Sequence, residues 1–234
     1  MILETLAWTT FFYTASFTLP CIVPRLEHQS KPAIFDNHNG LLADADQDAR
    51  DRTIGQLVAT GAQILIVLGA LLDLITPIPS LASLVIGFYL YDMIHLYTKP
   101  YGKSQQIFLV HHAGTIALLS YLCWIESPYT TATNVFYILL EVSSISINTV
   151  NLIKYFWPTE PRLNQLRFAN VAIYGLTRVV LYPLTLGISI YFVAHSNQIL
   201  IHVPPVFALG LLYIMYVQWF VAMITKQNRD RILD

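Results

Sequence analysis

Residues 131–156 read TATNVFYILLEVSSISINTVNLIKYF, and this stretch decides the fold class. It carries one charged side chain, Glu141, before Lys154 near its end. As a helix rising 1.5 Å per residue it extends about 39 Å, more than the ~30 Å hydrocarbon core of a bilayer. Its polar residues are ordered. From Glu141, the residues Ser144, Asn148 and Asn151 follow at +3, +7 and +10, and Asn134 lies seven residues earlier. These offsets fall on one helical face. A long apolar helix with one polar stripe belongs in a membrane bundle, with the stripe turned away from lipid.

Six further apolar runs surround it, at roughly 5–24, 54–75, 79–98, 107–125, 168–194 and 203–225. The whole chain of 234 residues is 55% hydrophobic and 12% charged, about half the charged fraction of a soluble domain. The expected fold is therefore all-α, a polytopic membrane helix bundle of about seven transmembrane helices. Short connections at Thr76–Pro79 and Ser127–Tyr129 contain proline, as tight interhelical turns do. The segment 25–53 is the longest connection and is expected to be a mobile acidic loop. Its run Asp44, Asp46, Asp48 resembles the start of a calcium loop. However, Ala49 stands where glycine is needed and Gly55 where a bidentate glutamate is needed.

Charge placement supports seven spans. Of 13 Lys and Arg residues, twelve fall in 25–53, 99–106, 154–167 and 226–234, all on one side of a seven-span topology. The thirteenth, Arg178, lies inside a span. The positive-inside rule then makes the C-terminus cytosolic and the N-terminus lumenal or external. Six spans would break this segregation. The N-terminal apolar run has Glu4 in place of a basic n-region and reads as a retained span. Net charge is −1 with no basic tract, which argues against nucleic-acid binding. Cys21 and Cys123 fall at opposite faces, too far apart for a disulfide.

Two polar groupings carry candidate chemistry. The sixth span holds Asn170, Tyr174, Thr177 and Arg178. Glu141 and Arg178 each lie ~15 Å from an end of their spans, near the midplane. A Glu141–Arg178 pair, which would explain how both charges are tolerated, is expected there. The second grouping sits toward the cytosolic side. The third span ends with Tyr89, Tyr91, Asp92 and His95, and the fourth opens with His111 and His112. Adjacent helical residues point ~100° apart, so one histidine can face a cavity while the other supports it. A histidine held by a carboxylate can act as general base or nucleophile. The multi-box His-x-x-His-His pattern of membrane di-iron enzymes is absent, so no metal is expected. A retinal protein needs a lysine inside a span; Lys154 and Lys226 lie at span ends.

The stretch Ile86–Phe192 resembles the TLC domain of ceramide synthases and translocation-associated membrane proteins. The resemblance rests on Gly87-Phe-Tyr-Leu-Tyr-Asp92, the pair His111-His112, Leu139-Leu140-Glu141 with Asn148 and Lys154, then Asn170 and Arg178. Ceramide synthases carry a His-Asp-x-Ser-Asp motif before the Leu-Glu element. Here Thr133-Asn134-Val135-Phe136-Tyr137 stands in its place without either aspartate. The chain thus looks more like the smaller TLC-domain proteins, whose roles concern membrane lipid composition.

The resemblance implies a protein that binds acyl lipids or sphingolipids in an intramembrane cavity. Its alternative is an acyl-CoA-dependent acyltransferase of ceramide-synthase type, and a transporter or receptor is a third reading. His111, His112 and Asp92 are the catalytic candidates. His95, Asn134, Tyr137, Glu141, Ser144, Asn148, Tyr174 and Arg178 are the candidate cavity lining. No cofactor is implied beyond acyl-CoA as a possible co-substrate. Membrane lipids are the expected partners, with a protein partner or a homodimer also open, and the endoplasmic reticulum is the expected location. The chain divides into 1–53 (first helix and acidic loop), 54–225 (a six-helix core) and a tail, 226–234.

Overall fold

The computed structural model describes residues 1–19, 39–78, 81–98, 105–124, 130–157, 159–195 and 199–233. Cys21, Arg25, Lys31, Lys99, Lys103 and the turn 127–129 lie outside the described residues. So do the side chains of Asp44, Asp46, Asp48, Arg50, Cys123, Lys226, Arg229 and Arg231.

Every regular element among the described residues is helical. The elements are α1 (Ile2–Thr18), α2 (Asn39–Asp73), α3 (Leu81–Thr98), α4 (Gln105–Trp124) and α5 (Thr130–Phe156). Then come α6 (Leu163–Tyr174), a π-helical segment (Gly175–Leu181), α7 (Tyr182–Ala194) and α8 (Ile199–Leu233). Because α6, the π segment and α7 run on without a break, these make seven rods. Five are long and apolar enough to cross a membrane: Asp51–Asp73, Leu81–Thr98, Asn134–Phe156, Leu163–Tyr191 and Ile199–Thr225. Ile107–Leu122 is a shorter apolar helix, and α1 has 17 residues. The chain is a polytopic helical membrane bundle.

The acidic segment 25–53 departs from expectation, because α2 already begins at Asn39. Leu41, Leu42, Ala43, Ala45 and Ala49 are strong helix formers. Asp46 and Asp48 stand four residues before Arg50 and Arg52, a spacing that supports a helix.

Side-chain contacts fix the direction of each rod. Gly55 lies against His95 and Gly69 against Leu81, so α2 and α3 are antiparallel. Asn148 donates to Gln63 at 3.1 Å, and Asn134 donates to Asp73. The pair α2 and α5 is therefore antiparallel too. Tyr182 donates to the Leu209 carbonyl at 2.8 Å and Tyr174 to that of Tyr216 at 3.4 Å. This sets α6–α7 against α8. Helix α1 runs parallel to α3 on the outside of the bundle, with Ser83 bonded to Glu4 at 3.0 Å and Thr9 to the Gly87 carbonyl at 3.2 Å. The rods thus alternate. The described cations Arg52, Lys154, Arg162 and Arg167 gather at the end where α2, α4 and α6 begin.

Lipid is as apolar as leucine, so burying apolar side chains drives helix association weakly here; close packing and interior hydrogen bonds must hold the rods. Small residues permit the approach. On α2 the buried stripe is Val58, Ala62, Ile66 and Ala70, spaced four apart on one face. Between α1 and α3, a Cβ on Gly87 would lie 2.6 Å from Trp8 Cβ and 3.0 Å from the Thr5 carbonyl.

Two of the prolines within the spans, Pro183 and Pro205, are matched by hydroxyls. Pro205, inside α8, cannot donate to the Ile201 carbonyl four residues back. Tyr121 on α4 donates to that oxygen at 2.7 Å. Pro183 likewise frees the Val179 carbonyl, and Tyr213 on α8 reaches it at 3.4 Å. Pro183 also accounts for the π segment: avoiding its clash with Val179 widens the turns before it.

Replacing Gly87 by Ala is expected to push α1 off α3 and destabilise the protein by about 1–3 kcal/mol, the usual cost of overpacking. Thermal unfolding in mild detergent reads this directly. Unchanged stability would mean that α1 docks elsewhere.

Candidate functional site

Six rods, all but α1, enclose a cavity of about 760 Å³. Its mouth lies at the cationic end of the bundle, between Arg52, Leu96, Phe108 and Met223. Its floor, near mid-depth, is formed by Tyr89, Glu141 and Arg178.

One wall is the histidine cluster of α3 and α4. His112 Nε2 lies 2.7 Å from Asp92 Oδ2. That contact fixes the Nε2 proton toward the carboxylate and leaves Nδ1 with the lone pair. Nδ1 is enclosed and has no hydrogen-bond partner among the described residues. The His111 ring is 5.3 Å from that of His112 and sits edge-on to Tyr216 and Trp219 at 5.8 and 5.5 Å. Both histidines line the cavity, so neither is confined to a supporting role. His95 lines it nearer the mouth, stacked on Tyr91. Gly55 makes room for it: a Cβ there would lie 2.4 Å from His95 Nε2.

The floor corrects one expectation. Glu141 and Arg178 do not pair. Glu141 Oε1 accepts the Tyr89 hydroxyl at 2.7 Å. Arg178 Nε donates to Ser143 Oγ at 2.6 Å, and its Nη2 to the Leu140 carbonyl at 2.9 Å and Ser144 Oγ at 2.6 Å. The guanidinium also lies over the rings of Tyr216 and Tyr174, at 4.6 and 5.1 Å. The two groups find other partners first. Tyr89 of α3 takes the carboxylate, while Ser143, Ser144 and the Leu140 carbonyl take the guanidinium, although Ser144 stands only about 60° round α5 from Glu141. A buried cation is thus held by hydroxyls, a carbonyl and two aromatic faces, with no carboxylate.

Of the expected lining, His95, Glu141, Ser144, Asn148, Tyr174 and Arg178 face the cavity. Asn134 and Tyr137 do not, which corrects their assignment. Asn134 is buried at the opposite end, where it donates to Asp73 Oδ2. The other oxygen of Asp73 accepts the Ile78 amide. Asn134 therefore ties α5 to the α2–α3 turn. Tyr137 is buried in the core, and Asn151 is exposed.

Among the uncharged polar lining residues, the sequence pattern did not mark Gln56 and Gln63 of α2. With Arg52 they stand at 0, +4 and +11, one helical face. Two glutamines in an otherwise apolar span were the available signal. Among the described residues, no group of three or more His, Cys, Asp or Glu is placed to hold a metal.

A polytopic helical bundle whose cavity brings a histidine–carboxylate pair, carboxamides and a buried arginine together is the class this architecture defines. The family comparison agrees: the TLC domain (TRAM, LAG1 and CLN8) matches residues 79–225, more than half of the chain. The chain belongs to the TLC domain family. No curated protein matches it.

Arg178→Met is expected to cost about 3 kcal/mol, because three hydrogen bonds to a charged group are lost and their acceptors stay buried. Arg178→Lys should rescue little, since one ammonium cannot copy the planar fork. Equal stability of wild type and Arg178→Met in chemical or thermal unfolding would refute this reading of the floor.

Proposed function

We propose that this protein binds acyl lipids in its intramembrane cavity and transfers an acyl group there, from a thioester donor to a lipid hydroxyl or amine. One observation carries the reading: the 2.7 Å contact between His112 and Asp92 on the cavity wall. Simple lipid binding needs no such pair. A carboxylate fixed on an imidazole is what general-base catalysis requires. In this reading the contact tips the balance from a passive lipid binder toward acyl transfer, even without the two aspartates of the ceramide synthase motif.

The step balances as follows. The acceptor O–H or N–H gives its proton to His112 Nδ1, which is enclosed in this structure and must be uncovered as the lipid binds, while its oxygen or nitrogen bonds to the acyl carbon. The carbon–sulfur bond then breaks, and the departing thiolate takes the proton back from His112. Asp92 steadies the imidazolium between these events. His111 lies beside His112 and borders the same space. The cationic mouth suits a cytosolic face under the positive-inside rule, where a soluble anionic thioester such as acyl-CoA is available. A membrane of the endoplasmic reticulum fits that supply.

The test uses purified protein in lipid nanodiscs with a long-chain acyl-CoA and a panel of lipid acceptors. His112→Ala and Asp92→Asn should each lower turnover about 10²–10⁴-fold, the range of a lost general base, while both variants stay folded and still bind acyl chains. Turnover unaffected by His112→Ala would sink the catalytic assignment. Acyl lipid that co-purifies, with no turnover in any variant, would leave a binding protein.

A further inference from the structure

The wall facing the histidine cluster is built of carboxamides. Gln56 and Gln63 of α2 and Asn148 of α5 all border the cavity. Asn148 Nδ2 donates to Gln63 Oε1 at 3.1 Å. That bond uses one donor and one acceptor. The Gln63 amide nitrogen, the Asn148 carbonyl and the whole Gln56 amide bond to none of the described residues. Gln63 is only 7% exposed, yet its nitrogen is not among the fully enclosed polar atoms that lack a partner. Its remaining hydrogens therefore open on the cavity. A tie between α2 and α5 alone would not need spare donors and acceptors facing an internal space.

Depth relates this wall to the histidines. His95 touches Gly55, so that level marks the upper wall. Gln56 lies ~1.5 Å below it and Gln63 ~12 Å below it along α2. Asp92, three residues from His95 on α3, lies ~4.5 Å below the same level. The His112–Asp92 pair thus sits at a depth between the two glutamines. A head group held by the amides would bring its own hydroxyl to the level of the pair.

From this geometry we infer that the Gln56–Gln63–Asn148 wall is the acceptor head-group site, and that it selects, among possible acceptors, lipids with an uncharged hydroxyl head. The inference rests on the acyl-transfer reading above. These amides offer both donors and acceptors and carry no counter-charge for a phosphate or an ammonium. The charges deeper in the cavity are already engaged: Asp92 by His112, Glu141 by Tyr89, and Arg178 by Ser143, Ser144 and the Leu140 carbonyl. A site built to hydrogen-bond a hydroxyl also discriminates strongly against ligands that leave its polar groups unpaired.

The experiment measures binding in nanodiscs by competition with a fluorescent long-chain acyl probe. Competitors of one chain length are monoacylglycerol (uncharged), lysophosphatidic acid (anionic) and a long-chain alkylamine (cationic). Wild type should bind monoacylglycerol at least about tenfold more tightly than either charged lipid, the worth of roughly one well-made hydrogen bond. Gln63→Leu should abolish that preference without changing affinity for the acyl probe. The double variant Gln63→Leu/Asn148→Leu removes both partners of the interhelical bond, so it guards against misfolding from one orphaned amide. A retained preference in the double variant, or tighter binding of a charged lipid by wild type, would overturn the head-group site and leave the amides as an interhelical tie. Failure of wild type to bind the acyl probe at all would instead refute the acyl-lipid reading itself.

Discussion

The guanidinium of Arg178 joins the rods around the cavity floor. It takes Ser143, Ser144 and the Leu140 carbonyl from α5, and the ring of Tyr216 from α8. Three rods therefore converge on one planar group. In a hydrocarbon setting such a cation is costly unless every face of it is engaged. Two hydroxyls, a carbonyl and two aromatic faces engage it here. Because no carboxylate is spent on Arg178, Glu141 remains available to Tyr89 and the cavity. The floor keeps a carboxyl group and a guanidinium that do not hydrogen-bond to each other, and this preserves a polar surface at mid-membrane depth.

That arrangement depends on backbone irregularity. A regular helix through Gly175–Leu181 would have to pass Pro183 with the Val179 carbonyl in its way. The π segment avoids the clash, and Tyr213 accommodates the freed oxygen. At the other end of α8, Tyr121 does the same for Ile201 beside Pro205. Lipid offers no water to satisfy such carbonyls. Pro183 and Pro205 are thus each matched by a tyrosine on a neighbouring rod, so these irregular turns also act as interhelical ties. The aromatic richness of the chain serves this purpose as well as packing.

Much of this was legible in the sequence. The number of rods followed from the apolar runs and from where the cations fall. The histidine cluster followed from Asp92, His95, His111 and His112 lying near the same ends of adjacent spans. What failed did so for identifiable reasons. Depth arithmetic placed Glu141 and Arg178 at one level, but a shared level does not make a pair: Tyr89 takes the carboxylate, and Ser143, Ser144 and the Leu140 carbonyl take the guanidinium. Asn134 shares the helical face of Glu141 yet lies beyond the cavity, where Asp73 claims it. No periodicity within α5 reveals that partner. The helical start of α2 was masked by its charge: acidity suggested a solvated loop, while alanines and i,i+4 pairs favoured a helix. Gln56 and Gln63 were overlooked because glutamine carries no charge to mark its cost in a span.

The walls of the cavity differ in origin as well as chemistry. The segment matched by the TLC domain, 79–225, holds His95, His111, His112, Asp92, Glu141 and Arg178. Helix α2 ends before that segment begins, yet it completes the enclosure with Gln56, Ala59 and Gln63. Without α2 that wall of the cavity would be open, and polar groups at mid-membrane depth are costly where they meet lipid. The reactive wall and the enclosing wall are therefore separable along the chain. A change on α2 can reshape what the cavity admits while the His112–Asp92 contact and the Arg178 floor, set by α3, α4, α5 and the π segment, stay as they are.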